Sequence, residues 1–217
     1  MARTKAFDPE IALSKAMDVF WQKGYTATSV HDLVAAMGIN RGSLYDTFID
    51  KRHLFLQAIA HYHDTVVTAA IAHLQAPDAA RLEIEQHFLD LAARASADRQ
   101  RRGCLITNTV VELAGQDAEV ASLVKQGMQR VEAAFYRALL RAQDHGEIST
   151  DKDIRALAQY FTSSLQGVRV MAKTGADAAT LQTIVRLILH ALDQRRAQRH
   201  SSRQFGWDKT VATLRRR

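Results

Sequence analysis

Residues 24–54 read GYTATSVHDLVAAMGINRGSLYDTFIDKRHL, and this stretch decides the fold. Thr28 or Ser29 caps a short helix by accepting a backbone N–H bond. Val30, Leu33, Val34 and Met37 recur at intervals of three and four, the spacing of one buried helical face. Gly38 supplies the positive φ that a tight turn between helices requires. Ile39 plugs the angle. Asn40 caps a second helix, in which Leu44 and Phe48 face inward while Arg41, Gly42, Ser43, Tyr45, Asp46 and Thr47 face outward. A short polar helix held against a hydrophobic one suits insertion into a DNA major groove.

Working outward, Asp8 and Pro9 open a first helix that Gly24 ends. Asp50 caps a long fourth helix, from about residue 51 to 75, with Leu54, Phe55, Ala58, Ile59, Tyr62 and Val66 as its apolar stripe. Pro77 and Asp78 restart the chain for a fifth helix over about 78–97. The charged connector 98–103 leads into a sixth, ending near Gly115. A seventh spans about 117–145, an eighth runs from Thr150 or Asp151 to about 173, and a ninth covers about 177–198. The chain contains only two prolines, Pro9 and Pro77, and no run alternates apolar and polar residues as a strand would. The expected fold is therefore all-α with about nine helices. The expected division is 1–50 for DNA reading, 51–198 for sensing and dimerisation, and 199–217 as a basic tail.

Composition narrows the function. Among 217 residues, 47% are hydrophobic and 24% charged, enough for an ample core. The net charge of +6 is concentrated: residues 195–217 hold eight basic groups and one acidic, leaving 21 basic and 22 acidic elsewhere. The tail either attracts phosphate without base preference or is a solvated terminus. Residues 1–54 carry seven basic and six acidic groups, so their DNA affinity must come from placement. No signal-peptide core and no run of about 20 apolar residues appear, and there is a single cysteine, so a cytoplasmic protein with no membrane partner is expected.

Residues 8–56 resemble the tetracycline-repressor (TetR) family. The matching residues are Gly24-Tyr25, Thr28-Ser29-Val30, Leu33-Val34, Gly38-Ile39, Ser43-Leu44-Tyr45, Phe48 and Lys51. Val34 departs from the family's usual alanine. Thr47 stands where an aromatic residue or His commonly contacts phosphate. The segment from Gly103, Gly-Cys-Leu-x-x-Asn-Thr, is also similar to a branch of the family that includes cysteine-based sensors of electrophiles. The resemblance implies a homodimer that binds double-stranded, near-palindromic operator DNA and leaves it when an inducer reaches the second domain.

Chemistry assigns the contacts. Arg41 is the base-edge reader, its planar fork matching guanine O6 and N7. Gly42 lets the helix approach the bases. Ser43, Tyr45 and Lys51 face phosphate or sugar, the resemblance makes Thr47 a weaker phosphate donor, and Thr28 and Ser29 offer hydroxyls and N–H groups at the start of the second helix. Arg3 and Lys5 form an arm beside the groove. Asp46 accepts from cytosine N4 or, the favoured reading, pairs with a nearby cation. Helix nine is apolar on more than one face and needs two partners. Phe161, Leu165, Val168, Ile184, Leu187 and Ile188 are therefore expected at a four-helix dimer interface.

The resemblance places a ligand pocket within the second domain. Tyr62, His87, Asn108, Tyr136 and Tyr160, scattered among apolar residues, imply a small, partly apolar ligand. Cys104 follows Arg101, Arg102 and Gly103 at a helix start, where cations and the helix N-terminus stabilise thiolate. It is either a sensor of electrophiles or a buried small hydrophobe. No cofactor, metal site or enzymatic activity is expected. His61 and His63 lie on different sides of a helix, no His-Glu-x-x-His occurs, and neither a phosphate loop nor a Gly-x-Ser-x-Gly elbow is present.

Overall fold

A computed structural model describes residues 7–193. The basic tail and the Arg3/Lys5 arm lie outside the described residues. Among the described residues there are nine helices and no strand.

The first three are short and locally specified. α1 (Pro9–Lys23) begins under Asp8, whose carboxylate accepts from Glu10 N at 2.8 Å. α2 (Val30–Met37) begins with a capping box: Asp32 N donates to Ser29 Oγ at 3.1 Å, and Ser29 N donates to Asp32 Oδ2 at 2.9 Å. Gly38 ends it at φ 69°, ψ 32°. α3 (Arg41–Phe48) begins under Asn40, whose Oδ1 accepts from Ser43 N at 2.8 Å. Leu33, Met37, Leu44 and Phe48 are all buried, as their spacing requires. Ile49, at φ 69° and ψ −62°, makes the sharp bend out of α3. Asp50 N donates to Phe48 O across that bend at 2.8 Å.

α4 is one long helix with an irregular middle. Lys51–Tyr62 is α-helical, His63–Val67 forms a π-helical turn, and Thr68–Ile71 resumes the α-helix before a 3₁₀ turn, His73–Gln75. α5 (Arg81–Ala97) starts later than Pro77 suggests. Its first N–H groups are satisfied by Glu83 and by Glu147, at 2.7 and 3.0 Å. α6 (Leu105–Leu113), α7 (Ala118–Asp144), α8 (Ile154–Lys173) and α9 (Ala178–Leu189) follow, the last closed by a 3₁₀ turn, His190–Leu192. Asp117, Asp153 and Asp177 cap α7, α8 and α9. Asp153, rather than Thr150 or Asp151, starts α8.

α1 lies along α4, and α7 packs against α8. The centre holds Phe88, Phe135 and Phe161, whose ring centroids are 5.5–5.8 Å apart. Each such ring contributes about 1.5–3 kcal/mol by leaving water. This corrects one expectation. Phe161, Leu165 and Val168 are fully buried within the single chain, and Ile188 is nearly so. They face α5, α7 and α9 rather than a second copy. Ile184 is half-buried, and Leu187 is 62% exposed. The uncovered apolar residues of α8 and α9 are Tyr160, Val170, Met171 and Leu187.

Candidate functional site

Two regions carry chemistry: the outer face of α3, and a cavity behind it. On α3, Arg41, Gly42, Tyr45 and Asp46 are exposed, and Ser43 and Thr47 are half-buried. Arg41 has no protein partner among the described residues, so its guanidinium is free for another molecule. Asp46 likewise forms no ion pair there, against the favoured expectation. Thr28 is a second correction. It is buried, its hydroxyl donates to Gly24 O at 2.5 Å, and its N–H donates to Tyr25 O at 3.3 Å. With both donors spent inside, it has none for phosphate. Ser29 is exposed, but its hydroxyl donates to Asp32 Oδ2 at 2.8 Å. The Lys23 ammonium, donating at 2.7 Å, and then the Ser29 N–H and hydroxyl hold the Asp32 carboxyl far below the usual range. Lys51 sits 4.3 Å from the centroid of the Tyr25 ring, a cation–π contact that keeps the ammonium near the start of α4. Partial burial lowers the Lys51 ammonium.

The turn between α1 and α2 is gripped from the far side. Glu112 of α6 accepts from Tyr25 N at 3.0 Å and Thr26 N at 2.7 Å. Burial raises this carboxyl, but the Thr26 and Tyr25 donors and Lys51 outweigh it, and it remains a carboxylate. Gly24, at φ 82°, leaves room for it: a Cβ there would meet Glu112 Oε2 at 2.8 Å. Close by, Arg52 of α4 makes a two-pronged pair with Asp117, at 3.0–3.1 Å, and reaches Glu119 at 2.8 Å.

The other end of α6 meets the cavity. This space of about 730 Å³ lies among α1, α4, α5, the 98–103 connector and α8. Trp21, Tyr62, Val66, Ala70, His87 and Leu91 form its less polar wall. Its lining also holds Arg94, Arg99, Arg101, Arg102, Arg169 and Lys173. Trp21 belongs to α1. Its indole N–H donates to Gly103 O at 3.2 Å, its ring meets Tyr62 edge-on at 4.9 Å, and Arg102 lies 4.2 Å from the centroid of its ring. The cavity therefore touches the reader's own first helix. Burial pushes His87 down to about 3, so this imidazole is neutral at physiological pH.

Cys104 is the N-cap of α6 and is buried behind Tyr62 and Arg169. Arg169 Nη1 lies 3.2 Å and the Tyr62 hydroxyl 3.7 Å from Sγ. Burial alone would push the thiol up. Arg169, Thr107 and Tyr62 together more than offset it, leaving the thiol below its ordinary value. The cation is Arg169, from another helix; Arg101 and Arg102 beside it in sequence are turned elsewhere.

Of the predicted pocket residues, Tyr62 and His87 line the cavity. Asn108 braces its edge, donating to Arg102 O at 2.9 Å and accepting from Lys173 Nζ at 2.8 Å. Tyr136 and Tyr160 do not belong to it: both rings sit on the outer surface of α7 and α8. Sequence reasoning missed Trp21, Glu112 and Arg169. The available signal was a charge, Glu112 or Arg169, set within an apolar helical run.

Among the described residues no helix is long and apolar enough to cross a membrane. The profile described as "Bacterial regulatory proteins, tetR family" matches residues 12–58, and "Tetracyclin repressor-like, C-terminal domain" matches residues 79–188. The chain is 38% identical over 195 residues to YezE, an uncharacterised HTH-type transcriptional regulator of Bacillus subtilis (strain 168), covering 89% of this chain and all of that one. It is 31% identical over 183 residues to ComR, an HTH-type transcriptional repressor of Escherichia coli (strain K12), covering 84% and 87% of the two chains. Among solved structures it resembles a cysteine mutant of the TetR family transcriptional regulator CifR complexed with 26-bp double-strand operator DNA. That match has 30% identity and a TM-score of 0.76, covering 88% of this chain and all of that one. The chain belongs to the TetR family of helix-turn-helix transcriptional regulators.

Proposed function

We propose that this protein is a homodimeric repressor that leaves its operator when a small molecule fills the cavity. The observation that carries this reading is the shared wall: Trp21 of α1 faces the cavity, while α6 links the Cys104 end to the turn before α2 through Glu112. A ligand that fits only one placement of α1 and α6 shifts the readers by its differential affinity for the two states. The uncovered apolar residues of α8 and α9 supply a dimer surface, with Ile184 and Leu187 retained from the sequence expectation. Two readers then take two half-sites of a near-palindromic duplex, in successive major grooves roughly 34–36 Å apart or more widely spaced. Repression is supported by ComR, described as a repressor.

Arg41 is the base reader in this arrangement, with Ser43, Tyr45, Thr47 and Lys51 toward the backbone and Gly42 at the closest approach. Arg41→Ala is expected to weaken operator binding by about 1–3 kcal/mol and to relax base preference at one position. Fluorescence anisotropy on operator and random duplexes tests this, and equal losses on both would contradict the role.

A second reading is favoured by the donors around Cys104. A thiol held below its ordinary value next to Arg169 has the character of a reactive cysteine, although it is buried. Modification there would force Tyr62 and the start of α6 apart. Under this reading a mild electrophile such as N-ethylmaleimide releases wild-type protein from DNA, while Cys104→Ser holds on. Release of both proteins, or of neither, assigns the thiol to packing.

A further inference from the structure

The charge of the cavity is lopsided. Its lining carries Arg94, Arg99, Arg101, Arg102, Arg169 and Lys173 against one acid, Asp98. Asp98 is already engaged, accepting from Gln100 N at 3.1 Å and Arg102 N at 2.9 Å. Arg94 and Arg102 reach carboxylates only at 3.5–4.0 Å. Lys173 is held by a neutral oxygen, Asn108 Oδ1. Arg169 is half-buried beside the buried Tyr62 and Cys104 and pairs with no carboxylate among the described residues. Only one of its N–H groups is directed at Sγ, and a guanidinium has five. Its fork matches a carboxylate or a phosphate. Val66, Ala70 and Leu91 line the same cavity and offer an apolar body nothing but contact. The buried His87 Nε2 has no hydrogen-bond partner among the described residues.

We propose that the cavity takes an amphipathic organic anion: an apolar body against α1, α4 and α5, and a carboxylate or phosphate head on Arg169. This rests on the reading of the cavity as a ligand site. A cation would be repelled by Arg99, Arg101, Arg169 and Lys173, which pair with no carboxylate among the described residues. A wholly apolar molecule would leave Arg169 cut off from water without a counter-charge. The bound anion and the Cys104 thiol would then share one guanidinium.

The test uses the full-length protein and two fluorescent probes of similar shape, 8-anilinonaphthalene-1-sulfonate and the uncharged N-phenyl-1-naphthylamine. The sulfonate is expected to bind about tenfold more tightly or better. Arg169→Gln should remove that preference and leave the neutral probe unchanged. Arg169→Lys should retain part of it, guarding against a folding defect in the first variant. Leu91→Trp, which fills the cavity, should weaken both probes and so locate them there. Octanoate and octyl phosphate should displace the sulfonate better than octanol or octylamine, and the better of the two names the head group. Equal affinity for both probes, equal displacement by octylamine, or an unaltered preference in Arg169→Gln overturns the proposal. Operator occupancy is read separately. An anion that binds the cavity while DNA stays bound preserves this inference and sinks the inducer reading. Release of DNA by octanol with no anion preference does the opposite.

Discussion

Gly127→Val is expected to destabilise the protein by about 1–3 kcal/mol, and adding His63→Ala is expected to recover much of the loss. Gly127 lies in the buried side of α7, against the π-helical turn of α4. A Cβ there would overlap the imidazole of His63, whose Nε2 lies 2.6 Å from that position. His63 is buried, so displacing its ring disturbs packed neighbours. Either this ring or the backbone of α4 must shift, and the same helix supplies Tyr62, Val66 and Ala70 to the cavity wall. Overpacking of this kind is relieved only by removing the ring that occupies the space. The comparison of wild type, both single variants and the double variant by urea denaturation, at fixed protein concentration, gives the coupling. A Gly127→Val protein as stable as wild type would show that His63 is not packed as described. Equal losses in the single and double variants would show the same.

The contrast between local and distant determinants explains what could be read from the sequence. Ser29, Gly38 and Asn40 fix the ends of α2 and α3 through bonds within three or four residues, so the reader was legible there. The sequence left Thr28 and Ser29 interchangeable as caps. Once Ser29 takes the capping box, Thr28 turns to the Gly24 carbonyl and is lost to DNA. The π-helical turn left no mark, because the apolar stripe through Tyr62 and Val66 continues across it and the glycine that makes room for its His63 ring, Gly127, is on α7. A stripe also states which face is buried without naming what covers it. That is why Phe161, Leu165 and Val168 were assigned to a second copy when Phe88 and Phe135 already cover Phe161. The cavity was the least legible region. It is assembled from Trp21, Tyr62, His87 and Arg169, spread along most of the chain, while Tyr136 and Tyr160 share their residue type and point outward.

The same correction chooses the variant that tests dimerisation. Phe161→Glu would put a charge into the core of one subunit and unfold it, so it cannot report on association. Leu187 is 62% exposed on α9, and Tyr160, Val170 and Met171 are uncovered on α8. Its replacement costs the isolated subunit little. In a twofold interface the change appears twice, once on each copy, and buries two carboxylates without partners. Leu187→Glu is therefore expected to give a folded monomer by analytical ultracentrifugation. Operator affinity should fall by roughly 10²–10⁴-fold, because the second reader is no longer delivered at the high effective concentration that linkage supplies. Binding to a single half-site should be unchanged, since α3 and the turn before α2 that Glu112 holds lie on another part of the chain. Leu187→Glu that remains a dimer with full operator affinity would remove α9 from the interface. A monomer that keeps full affinity would remove the need for two readers, and with it the mechanism in which a filled cavity releases DNA by moving one reader relative to the other.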